Sequence, residues 1–245
     1  GGLLFFYEIR GLLDEDARSD TSAWEKDGAR EPYRRGHKNP HFLCKYYSDT
    51  RVDKNKHDIR RGCLSFSSPD SFNDPFDCNC QFSNGDNASD KFRVLCLTRR
   101  YDNILMWSHY ASEHKGYCFR YEFNDIYETI RKSNIYDGNN NPLPVPLSGL
   151  CIWGNTRYTS IRPAQRTVHG QFTWSDIKHY TDAAFSKFDD WSYEKEIRFV
   201  IVSDDSMPSW LTITAPRVKV FEGCENTTGV GGYRLSKDPS SYALV

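Results

Sequence analysis

Short runs in which apolar and polar residues alternate recur along the chain from residue 42 onward. In CLSFSS, for example, Leu64 and Phe66 alternate with Ser65 and Ser67. Runs of this kind, bounded by Gly, Pro, Asn or Ser, predict β-strands. The predicted strands are FLCKYYS at 42–48, CLSFSS at 63–68, FRVLCLT at 92–98, YCFRYEF at 117–123, CIWGNTRYTS at 151–160, EIRFVIVS at 196–203, WLTIT at 210–214 and RVKVFEG at 217–223.

Segments with helical spacing of apolar residues are fewer. They predict helices over residues 52–61, 103–114, 125–132 and 174–188. Strands outnumber these helices, and the two kinds of element do not alternate regularly. The pattern therefore favours an α+β fold, with a mainly antiparallel or mixed sheet and a few flanking helices, over a doubly wound parallel sheet.

The first 40 residues differ from the rest of the chain. A short apolar start is followed by a charged stretch, residues 14–37, that has almost no apolar periodicity. We therefore predict an N-terminal appendage over residues 1–40 and one α+β domain over residues 41–245, because the remaining length suits a single domain.

Charge and cysteine content narrow the class of protein. The formal net charge is −1, so the basic excess typical of nucleic-acid-binding proteins is missing and charge does not indicate a nucleic acid partner. Eight cysteines are scattered, and the close pair Cys78 and Cys80 has no second pair to complete a zinc site, so no metal is expected. No signal peptide or membrane span is visible, which predicts a cytoplasmic protein with reduced thiols.

Two segments in the first half carry candidate ligand-binding groups. Ser65 and Ser67 lie on one face of a predicted strand, where two hydroxyls can hold a ligand, although a solvent-facing edge strand gives the same pattern. Asn73 lies between two Phe residues in a turn that Pro75 fixes. That turn is either part of a binding site or a structural corner.

A predicted helix carries a candidate histidine. Met106, His109 and Tyr110 share one helix face through their i, i+3 and i+4 spacing. His109 could orient or polarise a ligand, and a purely structural histidine is the alternative.

Two carboxylates begin a predicted strand near the C-terminal end of the domain. Glu194, Glu196 and Arg198 are expected to share one face of that strand. Because like charges repel, the pKa of one carboxyl is expected to rise, which suits acid–base catalysis or stabilisation of a cation. Neutralisation by Arg198, or a solvated strand edge, are the alternatives.

Four segments together resemble a largely uncharacterised bacterial family, a domain of unknown function. Its pattern contains a Lys-Tyr strand, an FSxPxxFNDPFD stretch, an LMWSHYA stretch and a WxYExExR strand. These correspond here to residues 45–46, 62–77, 105–116 and 191–198, and the resemblance spans about residues 43–223. It implies a bacterial or phage-associated protein, since some members resemble parts of toxin or anti-phage defence systems.

The chain also resembles, more distantly, the mono-ADP-ribosyltransferases, which split NAD at the nicotinamide bond. Those enzymes use an early basic residue, a Ser-rich strand edge and a late Glu-x-Glu strand, and Lys45, Ser65, Ser67, Glu194 and Glu196 follow that order. The resemblance implies a related fold and NAD as co-substrate. It also implies that Glu196 is the catalytic carboxylate and that Glu194 activates the acceptor. Lys45 departs from the Arg or His expected at its position.

The expected site follows from these resemblances and from the segments above. A ring from Tyr46, Trp107 or Tyr110 is expected to stack on the nicotinamide. The expected catalytic residues are Glu196, Glu194 and His109, and the expected NAD-binding residues are Lys45, Tyr46, Ser65, Ser67, Asn73, Trp107, Tyr110 and Arg198.

The sequence is compatible with three functions. The first is an NAD-consuming, ADP-ribosyltransferase-like enzyme that modifies a protein or nucleic acid, or hydrolyses NAD, with a macromolecular acceptor or a partner protein and no membrane. The second is a non-catalytic sensor of a nucleotide-like ligand. The third is an interaction module that docks a partner through residues 1–40.

Overall fold

The computed structural model describes most of the strands and helices and the segments next to them. The described residues are 5–8, 41–48, 62–72, 74, 77–78, 92–132, 135–137, 139, 141–142, 149–161, 182–203, 207–208, 210–215, 217–224 and 232–235. The strands are β1 Phe5–Glu8, β2 Phe42–Tyr47, β3 Cys63–Ser67, β4 Phe92–Thr98, β5 Tyr117–Glu122, β6 Tyr136–Asp137, β7 Gly149–Asn155, β8 Arg157–Thr159, β9 Ser186–Phe188, β10 Glu196–Ser203, β11 Trp210–Thr214, β12 Val218–Cys224 and β13 Gly232–Leu235. The α-helices are α1 Ile104–Tyr110 and α2 Phe123–Arg131, and 3-10 helices span Pro69–Ser71 and Asp189–Glu194.

Eleven of these strands form one sheet that curls into a half-barrel. Its main order is β1-β7-β10-β4-β2-β5-β12-β13, while β3 joins β4 to β11 and β6 pairs with β11. Among the described strands, every pairing in this sheet is antiparallel except that of β1 with β7. Strands β8 and β9 form a separate parallel pair. The predicted α+β fold with a mainly antiparallel or mixed sheet is confirmed.

Strand β10 lies in the middle of the sheet, between β7 and β4. Its residues 196–202 are all buried, which agrees with its continuous FVIV run, because a strand covered on both faces loses the alternation of a half-exposed one. Phe199 of β10 packs in the same core as Trp153 and Leu95 from the neighbouring strands β7 and β4.

Helix α1 begins where the sequence places a cap. The Asn103 side-chain oxygen accepts hydrogen bonds from the backbone N–H groups of Leu105 and Met106, the usual role of Asn at this position. The helix ends at Tyr110, earlier than the predicted residue 114. Residues 112–114 have positive φ angles of 46, 52 and 72°, which a right-handed helix does not accommodate.

Two further predictions about elements are corrected. The predicted helix over residues 174–188 is wrong at its end, because Ser186–Phe188 forms strand β9 beside β8. The strand predicted to include Glu194 begins only at Glu196. Lys195 has a left-handed conformation (φ 47°, ψ 50°) that separates the 3-10 helix from β10. The helix predicted over residues 52–61 lies outside the described residues.

Strands β2 and β3 both pair with β4 and then diverge from it. We call this branch point of the sheet the fork. One edge of β4 pairs with β10 over seven residues. The other edge pairs with β3 at Val94 and with β2 at Thr98, so β2 and β3 leave β4 at opposite ends. The Lys45 ammonium donates to the backbone carbonyl of Cys96 at 2.8 Å, between these two pairings.

The beginning of the chain contributes a strand to the sheet. Residues 5–8 form β1, which runs parallel to β7. The rest of the predicted appendage lies outside the described residues, so the boundary at residue 40 stays a prediction. No helix in the described part of the chain is long and apolar enough to cross a membrane.

Candidate functional site

Five charged side chains lie together at one end of β10, and all five are buried. Asp77 comes from the turn after β3, Lys187 from β9, Glu194 from the end of a 3-10 helix, and Glu196 and Arg198 from β10. Their exposed fractions are 8, 5, 3, 6 and 0%. Charged residues are rarely buried unless they are paired, so their partners decide what this charge cluster can do.

Arg198 holds two of the carboxylates. Its Nη1 and Nη2 donate to both oxygens of Asp77 at 2.6 and 2.7 Å, and Nη2 also donates to Glu196 Oε2 at 2.9 Å. The residue beside Arg198 on β7 is Gly154, which has no side chain to occupy that face of the sheet. The pairing of two Arg198 nitrogens with both oxygens of Asp77 is the strong, bidentate form of an Arg–carboxylate interaction.

Lys187 lies among all three carboxylates. Its Nζ is 2.6 Å from Glu194, 3.7 Å from Glu196 and 3.8 Å from Asp77. Three carboxylates and two cations leave one negative charge when all five groups are ionised. One carboxyl of the charge cluster is therefore the natural place for a proton.

Glu194 connects the charge cluster to α1. The Tyr110 hydroxyl donates to Glu194 Oε1 at 2.5 Å, while Lys187 donates to Oε2. The left-handed Lys195 turns the chain so that Glu194 and Glu196 approach the same ammonium despite lying in different elements. Thr98 donates to the backbone carbonyl of Glu194 at 2.6 Å, which fixes this turn against β4.

The two glutamates have opposite pKa shifts. Burial alone would raise the pKa of Glu196, but the adjacent Arg198 and Lys187 lower it to about 2. Burial and the neighbouring charge of Glu196 raise the pKa of Glu194 above its usual range. The expectation that one of these two carboxyls has a raised pKa is thus met by Glu194, while Glu196 stays ionised.

A row of partly accessible rings lies beside Glu194. The ring centroids of Trp191 and Tyr193 are 6.1 Å apart, and those of Tyr193 and His109 are 6.0 Å apart. His109 is exposed, and the other two are half-buried. We call Trp191, Tyr193 and His109 the ring row. It places an aromatic surface between the Glu194 carboxyl and solvent-exposed His109, and small-molecule sites are often lined by aromatic side chains.

Five predicted site residues are brought together by the fold. Glu194, Glu196 and Arg198 form part of the charge cluster, Tyr110 contacts it directly, and His109 belongs to the adjoining ring row. The prediction that Glu194 shares a strand face with Glu196 and Arg198 is wrong. Glu194 approaches them through the turn at Lys195 instead. The alternative of a solvated strand edge is wrong because these groups are buried.

Tyr46 and Trp107 lie in a separate apolar cluster between α1 and β2. Their rings meet edge to face at 5.2 Å, and they are 6 and 2% exposed. Their polar atoms bond to the backbone carbonyls of Arg100 and Tyr101. Of the three rings predicted to stack on nicotinamide, this leaves Tyr110 as the one next to the charge cluster.

The serines lie along the fork, away from the charge cluster, whereas the Lys45 ammonium bonds to Cys96, the residue of β4 that pairs with Arg198. Ser67 pairs with Val94, four residues along β4 from Thr98, the partner of Glu196. At the usual rise of a strand this separation is on the order of 13 Å. Ser65 is two residues further along β3. Asn73 lies outside the described residues.

Sequence reasoning missed two members of the charge cluster. Asp77 was placed in a turn but not in a site, and Lys187 was hidden in a segment predicted to be a helix. The FNDPFD and WxYExExR patterns of the resembled family include Asp77 and the rings Trp191 and Tyr193, so the pattern was the available signal for these three. Nothing in the local sequence around Lys187 indicates its burial.

The fold and the charge cluster define an α+β protein with a buried ionic site beside an aromatic surface. Residues 106–199 match a family model described as "Protein of unknown function (DUF2971)". The matched segment contains most of α1, the ring row and four of the five charged residues of the charge cluster. This supports the predicted resemblance to an uncharacterised family, whereas the resemblance to ADP-ribosyltransferases stays a prediction. No curated protein and no solved structure matches the chain.

Proposed function

We propose that the chain is an NAD-consuming enzyme of the ADP-ribosyltransferase type. The observation that carries this proposal is the pair Glu194 and Glu196, two carboxyls that converge on Lys187, have opposite pKa shifts and lie beside exposed rings. Carboxyls with separated pKa values are how a site assigns different roles to two chemically identical groups.

The two roles fit cleavage of the bond between ribose and nicotinamide. That bond breaks with its electron pair leaving on nicotinamide, and the ribose carbon becomes cation-like. The fixed negative charge of Glu196 favours such a cation. Glu194, whose pKa is raised by burial and by the charge of Glu196, is the better proton acceptor of the two carboxylates and accepts the proton of the attacking water or acceptor group. The products are nicotinamide and ADP-ribose, free or attached to the acceptor.

We propose that the rest of the dinucleotide lies along the fork in the sheet. Lys45 brings a cation into the fork, and the Ser65 and Ser67 hydroxyls lie on the strand at its other side. Cations and hydroxyls are suitable partners for a pyrophosphate. A toxin or anti-phage effector is the biological setting that we propose for such an activity, with a protein or nucleic acid as the acceptor.

Replacing Glu194 by Gln is expected to lower nicotinamide release by at least about 100-fold, since general acid–base groups contribute about 10²–10⁴ in rate. The amide keeps the shape of the side chain but does not accept the proton. The measurement is nicotinamide release from NAD by chromatography. Glu128→Gln, on the exposed surface of α2, is the matched control and should leave the rate unchanged. Equal rates for both variants would contradict the proposal.

Replacing Tyr110 by Phe is expected to move the acid limb of the pH–rate profile to higher pH. The Tyr110 hydroxyl stabilises the Glu194 carboxylate and so lowers its pKa. Its loss raises that pKa further, and the ionised base then forms only at higher pH. Nicotinamide release measured between about pH 5 and 9 reports the shift. Tyr127→Phe on α2 is the control, and an acid limb common to all three proteins would count against Glu194 as the base.

A non-catalytic nucleotide sensor is the second candidate, and one observation favours it. The Glu196 carboxylate already has Arg198 and Lys187 as partners within the protein, as a purely structural ion pair would. A sensor binds NAD or a related nucleotide and releases no nicotinamide. Ligand-dependent stabilisation without turnover would therefore select the sensor over the enzyme.

A further inference from the structure

The ring row has the geometry of a stacking surface. The interplanar angles are 39° between Trp191 and Tyr193 and 38° between Tyr193 and His109, so neighbouring rings are closer to parallel than to perpendicular. The centroid spacings of about 6 Å exceed direct face-to-face contact between the rings. The row therefore presents separate aromatic faces at moderate tilts, and a planar ligand can stack on one of them.

The ring row is also held rigidly. The Asn103 amide donates to the backbone carbonyl of Tyr193 at 2.6 Å, while its oxygen caps α1. The ring of Trp191 lies 5.2 Å from the Lys187 ammonium, which anchors it to the charge cluster. A surface that is fixed before binding loses little entropy when a ligand arrives.

The chemistry of the ring row favours an uncharged planar ligand with polar edges. Burial, with the nearby Glu194, raises the pKa of Tyr193 to about 12, so its hydroxyl stays a neutral hydrogen-bond donor. His109 adds a second polar edge at the exposed end of the row. Nucleobases combine a flat π-face with donors and acceptors at the rim, and stacking of a base on an aromatic ring is favourable.

We propose that the ring row binds a nucleobase by stacking and that the base belongs to a free nucleotide rather than to a nucleic acid strand. Strand binding relies on a continuous run of cations that neutralises successive phosphates. The exposed charged residues that flank Trp191 and Tyr193 in the sequence carry both signs instead, with Asp189 and Asp190 before them and Lys195 after them. The binding role does not require NAD cleavage, and it holds equally for a sensor.

The test is a titration of the full chain with adenosine monophosphate, followed by calorimetry or ligand NMR. Ribose 5-phosphate, which lacks the base, should bind at least about 10-fold more weakly. Trp191→Leu and His109→Ala should each weaken binding of adenosine monophosphate by about 5-fold or more. Trp210→Leu removes a half-exposed Trp from β11 and is the matched control, with unchanged affinity.

His109→Ala separates a loss of binding from a loss of folding, because this side chain is exposed and its removal leaves the core intact. Equal affinity for the nucleotide and ribose 5-phosphate, or no binding of the nucleotide, would overturn the proposal. So would unchanged affinity in both ring-row variants. An oligothymidine that binds more tightly than the nucleotide and is released by salt would overturn the choice of a free nucleotide. Since adenosine monophosphate holds no nicotinamide, these outcomes are independent of the proposed turnover.

Discussion

Replacing Arg198 by Met is expected to lower the free energy of unfolding by about 3–5 kcal/mol at neutral pH, the usual cost of removing one partner from a buried ion pair. Arg198 is fully buried and pairs with both Asp77 and Glu196. Met fills part of the volume but leaves those two carboxylates without their strongest partner. Urea unfolding followed by circular dichroism measures the loss.

Two further variants separate charge from geometry at this position. Arg198→Lys keeps the positive charge but loses the two-pronged pairing with Asp77, so it should fall between the wild type and Arg198→Met. Arg217→Met removes an exposed arginine paired with Asp125 and should cause no measurable loss, as is common for surface pairs. An Arg198→Met protein as stable as the wild type would show that the charge cluster does not hold the fold together.

Replacing Lys187 by Met is expected to be about as costly at neutral pH, again about 3–5 kcal/mol. Lys187 is the cation that approaches all three carboxylates. Without it, Asp77, Glu194 and Glu196 share Arg198 alone. Burial and Glu196 already raise the pKa of Glu194, and loss of the ammonium raises it further.

The cost of Lys187→Met should therefore depend on pH, and its sign follows from the raised pKa. A carboxyl whose pKa is raised on folding binds its proton more readily in the folded state, so its contribution to stability is present at low pH and is lost as the pH rises. The deficit of Lys187→Met relative to the wild type should then be smaller near pH 5 than near pH 8. A deficit that is the same at both values would rule out this explanation.

Glu196 contributes to stability with the opposite pH dependence. Its pKa is lowered to about 2, so its contribution is complete above the ordinary pKa of a glutamate and is lost as the pH falls towards about 2. The acid unfolding of the wild type is expected to begin within that window. Lys187→Met weakens this contribution as well, because Lys187 is one of the two cations that lower the pKa.

The strands could be predicted from the sequence because their signal is local. Alternation in CLSFSS and the apolar run in EIRFVIVS report burial on one face or on both, and β3 and β10 form where these patterns lie. The predicted range of β10, 196–203, is correct, but Glu194 was wrongly expected to share its face. Lys195 takes a left-handed conformation there, and the sequence does not indicate this because lysine has no preference for it. That one residue decides whether Glu194 shares a strand with Glu196.

The candidate site could be predicted only in part, because its members meet through long-range contacts. Glu196 and Arg198 are close in sequence, so their pairing was foreseeable from strand periodicity. Asp77 lies 121 residues from Arg198, and no local pattern connects the two. Lys187 was read as part of a helix because apolar residues precede it at helical spacing, and its pairing with β8 overrides that preference.

The ring row at the surface could not be predicted from the sequence either, because its members come from distant segments. Trp191 and Tyr193 are two residues apart, but His109 comes from α1, far earlier in the chain. Asn103 brings the two segments together through its bond to Tyr193. The rings that form the row therefore became identifiable only in the folded structure.

The most direct test of the central claim is calorimetric titration of NAD into the wild type and Glu194→Gln, with nicotinamide measured in the same samples. Both proteins are expected to bind NAD with similar affinity, and the wild type alone is expected to release nicotinamide at an appreciable rate, because Glu194 accepts a proton during turnover and does not stabilise the bound ground state. Absence of both binding and release in the wild type would contradict an NAD-consuming function.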